Sequence, residues 1–269
     1  MTDIIPIRAS SMPELFDCPA RWEAKHINGL RTPKSPQAHI GTSIHASTAV
    51  FDSEKLRGND LTPDDCAGVF VDTLRHPEED VDWSQLDTKM ETVERTGIAL
   101  HTNYCTQIAP KQNYTGIEIK CESLDIEFAE HDLTLRLTGS TDRVRKDADG
   151  RTGISDLKTG KTAVSKEGKV NVAKHGAQLA VYELLVEQEI GRPVTAPAQI
   201  IGMATVQEAR VAIGEIKTAR EVLVGTPEQP GLLDAAVRVI KSGMFYGNPS
   251  SMLCGEKFCP VYSICKWRF

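Results

Sequence analysis

Asp156-Leu157-Lys158 sets an acid and a base two residues apart. On an extended segment side chains alternate, so both would share one face while Leu157 takes the other. The preceding chain supplies a partner. Asp147-Ala148-Asp149-Gly150 reads as a hairpin turn, with glycine at the last position of a three-residue loop. Such a turn pairs Asp147 with Arg151 and, counted back along both strands, sets Asp142 across from Asp156. Cross-strand neighbours stand about 5 Å apart, so two carboxylates there repel unless a cation lies between them. A hard divalent ion such as Mg2+ or Mn2+ relieves that repulsion and keeps water ligands for chemistry. Lys158 is then placed to orient or deprotonate a water nucleophile. A lone D-x-K triplet is common on surface hairpins, so its context decides.

That context is Gly41-Thr42-Ser43-Ile44-His45 upstream, Gly139-Ser140-Thr141-Asp142-Arg143 before the hairpin, Asp156 to Gly160 after it, and Gln178 and Tyr182 beyond. Gln178 and Tyr182, four apart, fall on one face of a helix. In order and spacing these four segments resemble the PD-(D/E)xK nuclease superfamily, and in particular its RecB-like branch. The resemblance implies an α/β restriction-endonuclease-like core, a central mixed sheet flanked by helices, that hydrolyses DNA phosphodiesters with a metal ion. It implies that His45, Asp142, Asp156 and the backbone carbonyl of Leu157 hold Mg2+ or Mn2+. Lys158 would activate the nucleophile, and Gln178 and Tyr182 would contact DNA and the active centre. His39 competes with His45, which is preferred because Gly41, one turn earlier, lets another backbone approach. Glu118 or Glu122 could add an acid on the first strand; the sequence does not choose between them.

Seven cysteines are too few, and odd in number, for a disulfide scaffold. Cys66, Cys105 and Cys121 are scattered and read as buried small hydrophobes. Cys254, Cys259 and Cys265 crowd the last sixteen residues, a segment too short to fold without a staple. Phe16-Asp17-Cys18-Pro19 resembles the early cysteine of RecB-like nucleases that carry an iron–sulfur cluster, including CRISPR-adaptation exonucleases. That resemblance implies a 4Fe–4S cluster on Cys18, Cys254, Cys259 and Cys265, tying the chain ends together. The four-residue gap between Cys254 and Cys259 is wider than usual there, and structural Zn2+ on the same thiolates is the alternative.

These residues need a scaffold, and periodicity supplies its outline. Ser11-Met12-Pro13-Glu14 reads as a capping box opening a helix to about His26, with Cys18 on it. Further helices are expected from His39 through Phe51, from Thr62 to Leu74 and from Leu86 to Ile108. Alternation then predicts three strands, at 117–121, 133–137 and 152–158, followed by a helix over 170–189, strands at 198–206 and 209–216, and a helix over 232–245. The expected division is a helical part (1–110) carrying Cys18 and His45, a nuclease core (111–225), and a carboxy-terminal helix with the cysteine segment (226–269) packed back as a cap.

With 269 residues, 40% of them apolar and 25% charged, the composition is globular. No apolar run approaches the ~18 residues of a membrane span, and MTDIIPIRASS lacks a signal-peptide pattern, so a cytoplasmic location in a prokaryote or phage-infected host is expected. The 31 basic and 37 acidic residues give −6, so DNA contact must be local, with Arg143, Lys158, Lys161, Lys166, Lys169 and Lys174 as candidates for a phosphate-binding rim. No Walker A motif is present, which makes any helicase a separate subunit. The expected activity is a metal-dependent DNA exonuclease of phage recombination, repair or CRISPR adaptation. Its partners would be DNA ends and a single-strand annealing protein, helicase or CRISPR-adaptation protein. The rival is a catalytically silent module that grips DNA ends or a partner.

Overall fold

A computed structural model describes residues 3–217 and 219–268. The chain forms a mixed α/β fold around a five-stranded sheet with helices on both sides. Its strands are β2 (Asn113–Lys120), β5 (Ser140–Lys146), β6 (Thr152–Thr159), β7 (Ala198–Ala204) and β8 (Arg210–Ile216), in the order β2-β5-β6-β7-β8. Only β6 and β7 run parallel, and the helix α6 (Gly176–Ile190) connects them. Every residue of β7 is buried, as expected for a central strand covered on both faces.

One side of the sheet packs Ile154, Ile200 and Val144 against Leu179, Val181 and Leu185 of α6. The other packs Leu157, Ile201 and Met203 against Ile40, Ile44 and Phe51 of α3 (Pro36–Leu56), backed by α4 (Pro63–Arg75) and α5 (Met90–Asn103). Leu157 therefore faces α3, and Asp156 and Lys158, its neighbours on β6, alternate away from it.

A second sheet, absent from the sequence reading, joins β1 (Asp3–Arg8), β4 (Leu133–Thr138) and β3 (Leu124–Phe128). The expected strand near 133–137 is thus separate from the hairpin strand. The chain leaves β4, passes Gly139 and enters β5 in the other sheet. A side chain at Gly139 would place its Cβ 2.8 Å from the Tyr182 ring, so the bare backbone is what admits that ring.

The first helix also departs from expectation. It splits into α1 (Met12–Asp17) and α2 (Pro19–His26), with Cys18 extended between them, because the residue before a proline is pushed out of the helical region. The capping box at Ser11 does not form. Ser11 bonds to the Arg8 carbonyl, and Glu14 takes Arg21, Lys25 and His26. The box at Thr62 does form, with Asp65 accepting its amide and hydroxyl. The helix expected from Val170 starts at Gly176. Beyond α7 (Ala219–Val224) and α8 (Leu232–Ser242), the cysteine segment returns to α1 and α2, where Asn248 and Ser251 bond to Asp17. No helix among the described residues is long and apolar enough to cross a membrane.

Candidate active site

The β5–β6 hairpin pairs Arg143 with Ser155 and Lys146 with Thr152, the register counted from the turn, where Gly150 has φ +76°. At its open end Asp142 and Asp156 stand one residue beyond the last pair, where the strands fork. Asp142 Oδ2 accepts the Leu157 amide at 2.7 Å and lies 3.5 Å from His45 Nδ1. Lys158 Nζ lies 2.7 Å from Asp156 Oδ2. His45 reaches the fork because α3 touches β6 one turn earlier, where a Cβ on Gly41 would come within 2.5 Å of Thr159 Oγ1.

Asp156 is 2% exposed, and its Oδ2 is paired with Lys158. Burial pushes its carboxyl above the ordinary range; Lys158 opposes this and the Asp142 charge adds to it. A buried acid beside a second acid fits a hard cation. Among the described residues, no three His, Cys, Asp or Glu side chains already stand as a closed ligand set, so the fork presents donors rather than a finished cage.

Gln178 Nε2 donates to the Tyr182 hydroxyl at 3.1 Å, and burial pushes that phenol up, with Gln178 opposing. The Tyr182 ring is 7% exposed. His175, just before α6, was missed in the sequence. Burial first, then Lys158 and Lys174, lower it to about 4, so it is neutral beside Lys158. Only its position three residues before Gln178 could have pointed to it.

Arg143, expected on a phosphate-binding rim, is instead fully buried. Its guanidinium bonds to Asp52 at 2.7 Å, Glu118 at 3.0 Å and Thr48 at 3.3 Å, and Tyr104 also donates to Asp52. No face is left for a phosphate. Lys161, Lys166, Lys169 and Lys174 are exposed, and Lys161 pairs with Asp87 at 3.2 Å. Of the two undecided acids, Glu118 lies on β2 against Arg143, whereas Glu122 lies beyond the strand and its amide bonds to Glu189.

Cys18, Cys254, Cys259 and Cys265 line one small cavity. The Asn248 amide donates to Cys18 Sγ at 3.4 Å. The Cys259 thiol is raised by burial and by neighbouring Cys18 and Cys265. The four thiols suit an iron–sulfur cluster or zinc in donor chemistry, although among the described residues no three cysteines already stand as a closed ligand set. Cys66, Cys105 and Cys121 are buried elsewhere.

A mixed sheet flanked by helices, whose forked hairpin carries two acids and a lysine beside a helix histidine, is an architecture consistent with a restriction-endonuclease-like nuclease fold. The PD-(D/E)XK nuclease superfamily model matches residues 8–266, and the chain belongs to that superfamily. The fold is similar to the crystal structure of a candidate exonuclease from Eubacterium rectale, with a TM-score of 0.53 and 13% identity over 92% of this chain and 86% of that one. The solved structure of SSO0001 aligns with a TM-score of 0.39 and 12% identity over 97% of this chain and 95% of its own. No curated protein gives a significant sequence match.

Proposed function

We propose that the chain is a metal-dependent deoxyribonuclease that digests DNA from its ends. The observation that supports this best is the fork of β5 and β6, where buried Asp156 stands beside Asp142, with Lys158 against the one and His45 against the other. His45, Asp142, Asp156 and the Leu157 carbonyl would hold Mg2+ or Mn2+, the ions nucleases of this superfamily generally use. Bound there, the ion supplies Lewis-acid polarisation of the phosphate and a more acidic water.

The chain's own groups do the positioning. The Asp142 carboxylate is fixed by the Leu157 amide, so it cannot swing away from the fork. Lys158 Nζ stands beside Asp156, suited to orienting the attacking water or a phosphate oxygen. Neutral His175 adds no positive charge that would compete with a cation. Gln178 holds the Tyr182 hydroxyl at the edge of the site, and the exposed lysines between 161 and 174 offer phosphate contacts. The four cysteines, in the same reading, hold a 4Fe–4S cluster that ties both ends of the chain together, zinc being the other group they suit. The setting that fits such an enzyme is end processing in prokaryotic or phage recombination, repair or CRISPR adaptation, beside an annealing protein or helicase.

The test is digestion of end-labelled single-stranded DNA, linear duplex and covalently closed circles with Mg2+ or Mn2+. Linear substrates should be degraded and circles spared. Equal rates on both would make the enzyme an endonuclease, and tight end binding with no cleavage would make it a silent binding module.

A further inference from the structure

Two arginines stand two residues apart on one face of β5, and only one of them has an acid. Arg143 takes buried Asp52 and Glu118. Arg145 is 4% exposed, yet among the described residues no carboxylate hydrogen-bonds to it, and acids act on it only at a distance. Of its five N–H donors, Nη2 alone finds an acceptor there, the Pro197 carbonyl, while Nε is buried without a partner. Gly153, its neighbour across the hairpin, gives the guanidinium room: a Cβ on that residue would stand 3.3 Å from Arg145 Nη2.

A buried cation without a partner is costly, and beside this one the structure leaves a cleft. It has a volume of about 850 Å³ and lies at the turn end of the sheet, between the β5–β6 hairpin, the start of β2, the start of β7 and the end of β8. That volume is in the range of small-molecule sites. Five basic and three acidic residues line it, a positive spot on a chain whose net charge is −6. Two of the acids, Asp147 and Asp149, are held by Arg151. The third, Glu215, accepts from Gln199 Nε2 at 3.5 Å. Lys111 and Lys217 are exposed at the rim. Burial lowers the pKa of Arg145, and the charges of Glu215 and Asp147 offset this only in part.

We infer that Arg145 anchors a phosphate-binding site in this cleft, with Lys111 and Lys217 at its rim. A guanidinium matches the geometry of phosphate oxygens, and a bound phosphate group supplies the negative charge that the fold gives to Arg143 and withholds from Arg145. The site is separate from the fork. Arg145 lies three residues along β5 from Asp142 and alternates to the opposite face of the sheet, so the inference does not depend on the reading of the fork. A free phosphate, a nucleotide and a DNA backbone all present the same oxygens, and the arms of the experiment tell them apart.

The experiment uses the full chain without added divalent metal. Inorganic phosphate and a deoxynucleoside 5′-monophosphate are titrated by calorimetry and melting, and labelled single-stranded DNA by fluorescence anisotropy. Wild type should bind at least one probe and melt higher with it. Arg145→Met should weaken that binding at least about tenfold and, without a ligand, melt no lower than wild type, because an unpaired buried charge has gone. Arg145→Lys, which keeps the charge but not the planar fork, should fall between the two. Glu215→Gln leaves Arg145 in place and removes an opposing charge, so it should tighten binding about two- to fivefold; it decides the matter if Arg145→Met does not fold. Binding of phosphate or nucleotide assigns the site to a free ligand. Binding of DNA alone, with a salt slope lower by about 0.7 in Arg145→Met, assigns it to a backbone phosphate. No binding of any probe to wild type, equal affinity in wild type and Arg145→Met, or no change in Glu215→Gln overturns the inference.

Discussion

The Asp142 carboxylate accepts the Leu157 backbone amide at 2.7 Å across the fork of the hairpin. A side chain of one strand thereby takes up a backbone donor of the next just where regular pairing ends, and a buried amide that would otherwise be unsatisfied is paired. The bond holds the strands close enough for Asp142 and Asp156 to share a ligand, while Asp156 Oδ2 pairs with Lys158. Structure and chemistry are set by the same contact.

Asp156→Asn and Lys158→Ala should therefore separate activity from stability. Each removes a group from the centre, and DNA cleavage should fall at least about 100-fold. The amide introduced by Asp156→Asn carries no charge to repel Asp142, and Lys158, partly exposed, can turn to water, so melting temperature should hold or rise. Cleavage by end-labelled DNA digestion and folding by circular dichroism decide; wild-type cleavage in either folded variant removes these residues from the mechanism.

The contact of Gly41 with Thr159 predicts a reversal of sign. In wild type, Gly41→Ala places a Cβ 2.5 Å from Thr159 Oγ1, and overpacking of this kind costs about 1–3 kcal/mol, more than the helix gains from losing a glycine, about 1 kcal/mol. In a Thr159→Ala background that oxygen is gone and the next atom, Thr159 Cβ, lies at 3.8 Å. There Gly41→Ala should stabilise. Cleavage should fall in the single variant, since His45 rides one turn further along α3, and recover in the double. Chemical denaturation of the four proteins measures the cycle.

What the sequence showed and hid follows from range. The hairpin register was readable because the turn and both strands are contiguous, and the spacing of Gly41 and His45 is a local helical fact. Cys18 was misplaced on a continuous helix although Pro19 was visible; apolar spacing outweighed the local proline signal. Arg143 was misjudged because nothing local tells whether an arginine points out or in. Its partners Asp52 and Thr48 lie about ninety residues away. That the Tyr182 ring is largely enclosed could not be read locally, because the glycine that admits it, Gly139, belongs to another element. The chain's passage from one sheet to another at Gly139 has no periodic signature, and β1 is recognisable only by its long-range pairing with β4.

Burial of Arg143 gives a prediction opposite to that for a phosphate contact. Arg143→Met leaves Asp52 charged, buried and short of its partner, and should destabilise the fold by about 3–5 kcal/mol. Adding Asp52→Leu should recover much of that loss. At a temperature where Arg143→Met is folded, the salt dependence of DNA binding should match wild type, because no phosphate contact has been removed. A slope reduced by about one unit would instead place Arg143 on the DNA.

Glu183, on α6 and away from the fork, sets a pH dependence. It is 8% exposed, and burial first, with Glu187 adding and Arg220 opposing, raises its carboxyl from 4.5 to about 7. The folded state thus holds a proton that the unfolded chain releases above pH 4.5, so stability from this group is full below about 4.5 and lost as pH rises through 7. Glu183→Gln cannot ionise. It should change stability little at pH 4.5 and raise it by about 1–3 kcal/mol at pH 8, read from denaturation curves at both pH values; an equal effect at both would rule out this origin.

The cysteine cavity offers the last test, independent of the nuclease centre. Cys18 lies between α1 and α2 while its three companions lie beyond residue 250, so a shared metal group closes a loop of more than 230 residues. A cross-link of that span restricts the unfolded chain, an effect of about 5–6 kcal/mol for a covalent loop of this length in the chain-entropy account. Protein purified without oxygen should be brown and hold about four irons per chain. Cys18→Ser should lose iron and melting temperature together, whereas Cys66→Ser and Cys105→Ser should keep the metal. Colourless protein with one zinc per chain would replace the cluster with a zinc site on the same thiolates, and the linked loss on Cys18→Ser should remain. Full metal content in Cys18→Ser would remove Cys18 from the ligand set, and with it the tie between the two ends of the chain.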